Sequence, residues 1–336
     1  MTRRILLIRY GALGDILLTT PLIRELARQL PDAEIDVLVR SRYRDLVAGN
    51  PVVKRVFELR GERWWSIVAP LRERRYDLVL DLQNKLKSRL LAFATGAPRV
   101  IRLVRRGPKE LLSEWRQGPK PAPHTEAWRY LSLLDQLALE RPANPEVELD
   151  FFLGETERES AARALGGQHP IGLVVGASRA TKRWELSHFV GLARELWLRD
   201  GCKPIVLAGP ADLAWIAPAL PELEGVANVA PIDSTIAGIA GYIAACRIVV
   251  GVDGGLLHLA SALRRPVVAL FGPTDPNRWR PNGGSWRVVR RELACSPCRS
   301  HGSRTCPLGH HSCMRELTVE MVIHAIESLE KSLRPS

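Results

Sequence analysis

Short, unbroken apolar runs alternate with stretches of helical periodicity along nearly the whole chain. Residues 5–8 (Ile-Leu-Leu-Ile) predict a first strand, continuous rather than alternating, as in a parallel strand covered on both faces. Behind it Ile16, Leu17, Thr20, Ile23, Leu26, Ala27 and Leu30 recur at helical spacing, and Pro31 ends that helix. Pro21 falls in its first turns and predicts a kink or a late start. Further strands are predicted at 35–39, 52–59, 78–82 and 99–103, with helices at 43–48, 64–74 and 87–93 between them. The rhythm is βαβα, which implies a doubly wound parallel sheet.

The pattern then breaks. Residues 104–124 are basic and rich in Pro and Gly, and read as a long surface loop or flap. A helix is predicted at 125–139, with Trp128, Leu131, Leu134 and Leu137 on one side, and 141–145 (Arg-Pro-Ala-Asn-Pro) reads as a linker. Two domains are therefore expected, 1–143 and 144–336, which a chain of 336 residues also favours. In the second, strands are predicted at 171–175, 204–208, 247–250 and 267–271. Its helices are predicted from an N-cap at Ser187 to Arg199, and at 211–220, 236–246, 256–263 and 318–333.

Composition narrows the class. With 46% hydrophobic and 25% charged residues the chain is of globular type. No apolar run reaches the ~18 residues of a membrane-spanning helix. The start, whose short apolar run is interrupted by Arg9, is not a signal peptide, so a cytoplasmic protein is expected. The net charge of +12 is uneven, with 27 Lys/Arg against 19 Asp/Glu in residues 1–150. That half suits an acidic partner, whether nucleic acid, an anionic membrane surface or a phosphorylated substrate, unless the arginine content is a mere habit of composition.

The densest chemical signal is Gly251-Val252-Asp253-Gly254-Gly255-Leu256-Leu257-His258, a strand end running through glycines into a helix. Such a unit gathers unpaired backbone N–H groups and the positive helix end, an anion cradle that Gly254 and Gly255 let a phosphate approach. Read as plain structure, the two glycines only make a tight βα turn. Asp253 would orient backbone amides or accept from a sugar hydroxyl. Gly11-Ala12-Leu13-Gly14-Asp15 lacks the third glycine of a dinucleotide fingerprint, which disfavours NAD. Asp15 would either cap the following helix or act as a general base toward a hydroxyl.

Residues 5–21 (ILLIRYGALGDILLTTP), Lys182 with Trp184, 251–260 and 271–276 (FGPTDP) together resemble glycosyltransferase family 9, the ADP-heptose:lipopolysaccharide heptosyltransferases. The resemblance spans nearly the whole chain. It implies a GT-B fold, two Rossmann-like doubly wound domains facing a central cleft, with the acceptor on the first and the nucleotide sugar on the second. Carried over by position, Asp15 would be the catalytic base and Lys182 would neutralise the ADP leaving group. Gly14, Thr181, Asp253, Gly254, Gly255, Leu256 and His258 would bind the donor, though His258 could equally be a structural helix residue. Transfer would invert the anomeric carbon without a catalytic metal. Implied partners are an ADP-sugar and a lipopolysaccharide-core acceptor at an anionic membrane surface, with no nucleic acid, which places the protein on the cytoplasmic side of the inner membrane. One departure stands out: where the family's turn carries Ser or Thr after the aspartate, this chain has Gly254, which leaves the donor's identity open.

Two other readings stay open. One keeps the fold with another nucleotide sugar or a protein acceptor. The other is a non-catalytic nucleotide- or nucleic-acid-binding regulatory module, against which counts the lack of aromatics interleaved with the basic flap. Cys295, Cys298, Cys306 and Cys313 form C-x2-C-x7-C-x6-C, which suits a structural Zn or Fe site, like the metal finger of relatives that glycosylate autotransporters, or four free thiols. Cys202 and Cys246 lie beside apolar segments and are expected to be inert core thiols.

Overall fold

The structure, a computed structural model, describes residues 3–61, 64–103, 122–232 and 234–334, arranged as two compact units. The first holds the described residues up to 103 together with 126–152, and the second holds 122–125 and those from 153 onward. Each is built on its own parallel sheet.

In the first unit β1 (Arg4–Ile8), β2 (Glu34–Arg40), β3 (Val53–Leu59), β4 (Leu78–Asp81) and β5 (Arg99–Arg102) lie in the order β3-β2-β1-β4-β5, all parallel. Ile8 of β1 stands opposite Leu38 on one side and Asp81 on the other. The crossovers carry α1 (Leu13–Leu17), α2 (Thr20–Gln29), α3 (Val68–Glu73) and α4 (Leu86–Ala94), and α5 (Glu126–Leu131) follows β5. Pro21 sits in the first turn of α2, where a missing N–H costs nothing, so the expected single helix is two. Leu6, Ile8, Leu38, Val79 and Leu91 close one core under the sheet. The helix expected at 125–139 ends early at Leu131, and a 3-10 turn at Asp135–Leu137 follows, closed by Ala138 in the left-handed region. The basic flap expected at 104–124 lies outside the described residues except for its last three.

The sequence places the domain boundary between 143 and 144, whereas the units part after Phe152. The segment between is fastened to α2. Asp150 N donates to Thr20 Oγ1 at 2.9 Å, and Arg24 pairs with the Asp150 carboxylate at 2.5 Å and donates to Glu148 O at 2.9 Å.

The second unit orders its strands β11-β10-β9-β6-β7-β8, again all parallel. They are β6 (Ile171–Val174), β7 (Ile205–Leu207), β8 (Asn228–Val229), β9 (Ile248–Val252), β10 (Val267–Phe271) and β11 (Trp286–Arg290). The longer helices are α6 (Glu155–Ala164), α7 (Leu186–Asp200), α8 (Ile236–Ala245), α9 (Gly255–Ala262) and α10 (Val319–Leu333). The N-cap of α7 is Glu185 rather than Ser187, which lies within the first turn, and Gly201 at φ 65° closes the helix as expected. Residues 211–220 are not one helix, because Pro218 and Pro221 break the run into Leu213–Ile216, a 3-10 turn and Leu220–Val226. Among the described residues no helix is long and apolar enough to cross a membrane.

β6 and β9 approach unusually closely. A Cβ added at Gly251 would lie 2.5 Å from Val174 Cβ and 2.8 Å from its carbonyl oxygen. We expect Gly251→Ala to cost about 1–3 kcal/mol through overpacking, seen as a lower urea midpoint at unchanged slope; an unmoved midpoint would mean the strands spread freely.

Candidate active site

In an open parallel sheet, ligands bind beyond the carboxyl ends of the strands where the chain's direction of travel across the sheet reverses. In the first unit that point lies between β1 and β4. β1 delivers Arg9 there, with Nη1 donating to Leu82 O at 2.8 Å, just past β4, and Nη2 pairing with Asp15 Oδ2 at 2.8 Å. Ala12 N donates to the same carboxylate oxygen at 3.1 Å, so Asp15 does cap α1. Both contacts use Oδ2. Among the described residues Oδ1 has no partner, and the side chain is 23% exposed. Burial opposes the charge on Arg9, but Tyr130 and the Asp15 carboxylate outweigh it and hold the guanidinium above its ordinary pKa. Arg9 therefore stays charged and fixes the orientation of Asp15.

The approach to α1 needs a glycine. Gly11 has φ +145°, and a Cβ there would meet the Tyr43 ring at 2.4 Å. Asp81, at the end of β4, is a turn-builder. Its Oδ1 accepts from Gln83 N and Asn84 N at 3.1 and 2.8 Å, and its Oδ2 accepts from Ser88 Oγ at 3.0 Å.

In the second unit the reversal lies between β6 and β9. The loop after β6 brings Lys182 and the end of β9 brings Asp253, with Nζ to Oδ2 at 2.6 Å, both side chains buried. Thr274, past the end of β10, donates to the same oxygen at 2.7 Å. Among the described residues Asp253 is thus engaged with a lysine and a threonine rather than with backbone amides, one of the two roles expected of it. Gly254 is the N-cap of α9, extended at φ −170°, and among the described residues no cap side chain takes the first N–H groups of α9. A Cβ at Gly254 would meet nothing closer than Val252 O at 3.5 Å, so the missing hydroxyl residue would fit. Gly255 and Leu256 are half-buried, and His258 is buried a turn further on.

A feature that sequence reasoning missed is what holds Lys182 in place. The cysteine-rich segment is hydrogen-bonded to its loop: Thr181 N and Oγ1 both donate to Ser303 O (3.2 and 3.0 Å), and Ser303 N donates back to Thr181 Oγ1 at 2.8 Å. His311 Nε2 lies 2.7 Å from Thr181 O, and a Cβ on Gly302 (φ +72°) would press on the Lys182 stem at 3.0 Å. The same segment grips the loop after β10. Cys298 N and Arg299 N donate to Pro273 O at 3.0 Å, Ser296 Oγ to Gly272 O at 2.5 Å, and Trp279 Nε1 to Ser300 O at 2.7 Å. Lys182 and Thr274 are therefore positioned by one brace. Only the clustering of the cysteines hinted that this stretch is structured.

All six cysteines are free thiols. Burial pushes Cys246 up to about 12, as expected of a core thiol, but Cys202 is half-exposed at the end of α7. Burial, together with the neighbouring Cys298, Cys306 and Cys295, pushes Cys313 up to about 11. The four are neighbours, yet among the described residues no three His, Cys, Asp or Glu side chains converge as a metal-ligand set.

Residues 64–308 match the family model "Glycosyltransferase family 9 (heptosyltransferase)". The lipopolysaccharide heptosyltransferase 1 of Pseudomonas aeruginosa is 30% identical over 88% of this chain and 86% of its own. The chain belongs to glycosyltransferase family 9. A solved family 9 enzyme from Veillonella parvula superposes with TM-score 0.80 at 21% identity, covering 98% of each chain. The solved ADP-heptose lipopolysaccharide heptosyltransferase II of Escherichia coli gives 0.76 at 25% identity, covering 98% of this chain and 99% of that one. The GT-B fold implied by the sequence is that of the family, and in this glycosyltransferase both switch points carry the residues the family likeness singled out.

Lys182→Met strands a buried carboxylate and should cost about 3–5 kcal/mol in chemical denaturation. Adding Asp253→Asn should recover part of that, and strict additivity of the two changes would show the pair is not coupled. With their raised pKa values, Cys246 and Cys313 should resist a disulfide reagent at pH 8 until the protein is unfolded, counted as thiols released per chain.

Proposed function

We propose that this glycosyltransferase moves a heptose from ADP-heptose to a lipopolysaccharide inner-core acceptor, Kdo- or heptose-bearing lipid A, with inversion at the anomeric carbon. Family membership and the names of the relatives support the class of reaction. The observation that carries the donor assignment is the buried Lys182–Asp253–Thr274 cluster beside the uncapped start of α9.

In this reading the second unit, 144–336 as the sequence divides it, binds the nucleotide sugar. The diphosphate takes the first N–H groups of α9 at Gly255 and Leu256, which Gly254 leaves accessible, and the Lys182 ammonium meets the negative charge that grows on ADP. A lysine and a helix terminus meet that charge without a divalent metal. The first unit, 1–143, binds the acceptor. Asp15 Oδ1 accepts the proton of the acceptor hydroxyl as its oxygen bonds to the anomeric carbon and the bond to the β-phosphate breaks. Gly14, Thr181 and His258, which the family likeness puts with the donor, lie buried next to Asp15, next to Lys182 and in the first turn of α9. Such an enzyme works at the cytoplasmic face of the inner membrane, peripheral to it, because its acceptor is lipid-linked.

Gly254 motivates a panel of nucleotide sugars rather than ADP-heptose alone, since a bound donor raises the melting temperature by mass action. Purified protein should release ADP from ADP-heptose only when a Kdo–lipid acceptor is present. Asp15→Asn should lower kcat by ~10²–10⁴ while the donor's thermal shift persists. A wild-type rate in that variant would remove Asp15 from the chemistry, and a shift from another sugar nucleotide alone would replace the donor.

A further inference from the structure

α4 presents the wrong residues to solvent for an ordinary surface helix. Its inner face buries Ser88, Leu91 and Ala92. Its outer face carries Leu86, Arg89, Leu90 and Phe93 at i, i+3, i+4 and i+7, with Leu86 75%, Leu90 45% and Phe93 81% exposed. Nearby is a second apolar side chain group. Lys87 Nζ lies 6.0 Å from the centre of the Trp64 ring, which ties α4 to the 3-10 turn Trp64–Ile67. In that turn Trp65 is 59% exposed, its ring 6.3 Å from that of Trp64.

The charge along this segment of the chain has one sign. Residues 82–103 hold five Lys or Arg and no Asp or Glu, and of these Lys85, Arg89, Arg99 and Arg102 are exposed in the structure. A second copy of the chain would set these cations against each other across a self-complementary contact. A nucleic acid would leave the aliphatic stripe without a partner. A bilayer with anionic headgroups satisfies both parts, since leucine, phenylalanine and tryptophan enter the headgroup–acyl boundary while lysine and arginine stay with the phosphates.

We propose that the outer face of α4, together with Trp65, is the surface by which this chain sits on an anionic lipid bilayer. The choice of a bilayer rests on reading the acceptor as lipid-linked.

The test is co-sedimentation of the full chain with vesicles of phosphatidylethanolamine and phosphatidylglycerol, against vesicles of phosphatidylcholine alone. The wild-type protein should pellet with the anionic vesicles and come off as salt is raised. The Leu86→Ser, Phe93→Ser double variant should partition at least about tenfold less, and Trp65→Ser should weaken binding by less. Both should keep the wild-type melting curve and the wild-type rate on a soluble, deacylated acceptor. Failure of the wild type to bind, or binding that survives loss of the stripe, overturns the proposal. So does a dimer in sedimentation velocity that the double variant turns into monomer. If vesicles are bound but no acceptor is glycosylated, the surface stands and the proposed reaction falls.

Discussion

A lysine ammonium cannot be enclosed at the ends of two buried strands unless a fixed negative group takes its charge. Lys182 is held that way by Asp253, and the ion pair exists only because β6 and β9 are neighbours, although 71 residues separate the two side chains. That adjacency follows from the order of the sheet, in which the chain first builds outward through β7 and β8 and then returns to the other side of β6. The glycine at 251 lets the strands close, and Thr274 from the next strand end completes the set. Almost every chemical property assigned to the second unit depends on this pair.

The first unit answers with the same logic and the opposite charge outermost. Here the arginine is the more covered partner and the carboxylate the more open one, with Arg9 bridging the loop after β4 and the start of α1. A carboxylate held by one oxygen and presented by the other is oriented without being used up. The two units thus place an ion pair at equivalent positions of two similar sheets, the carboxylate being the more open partner in the first and the cation in the second.

What could be read from the sequence was what periodicity and glycine placement encode locally. Continuous apolar runs at 5–8, 171–175 and 267–271 become buried parallel strands, and the glycines at 254 and 255 become the turn into α9. Elements whose pattern is weak were missed: α6 buries only Ala161, and β11 is a mixed edge strand. The helix expected at 211–220 failed because two prolines count for more than its composition. Candidate residues brought by their own motif, such as Asp15 and Lys182, were legible as residues at the strand ends. Their supports were not: Arg9 and Thr274 stand inside the quoted motifs without a spacing that gives them a role, and Ser303 reaches Thr181 across more than a hundred residues of chain.

The brace formed by the cysteine-rich segment carries a consequence for how this chain can change. Its stitches run from Ser303 and His311 to Thr181 and from Cys298 and Ser296 to the loop after β10. Two loops that both reach Asp253 are therefore not independent modules. Grafting a relative's loop around Lys182 without its own late segment would leave backbone donors and acceptors on both sides unmatched, so specificity in this scaffold has to be exchanged as a three-part set rather than loop by loop.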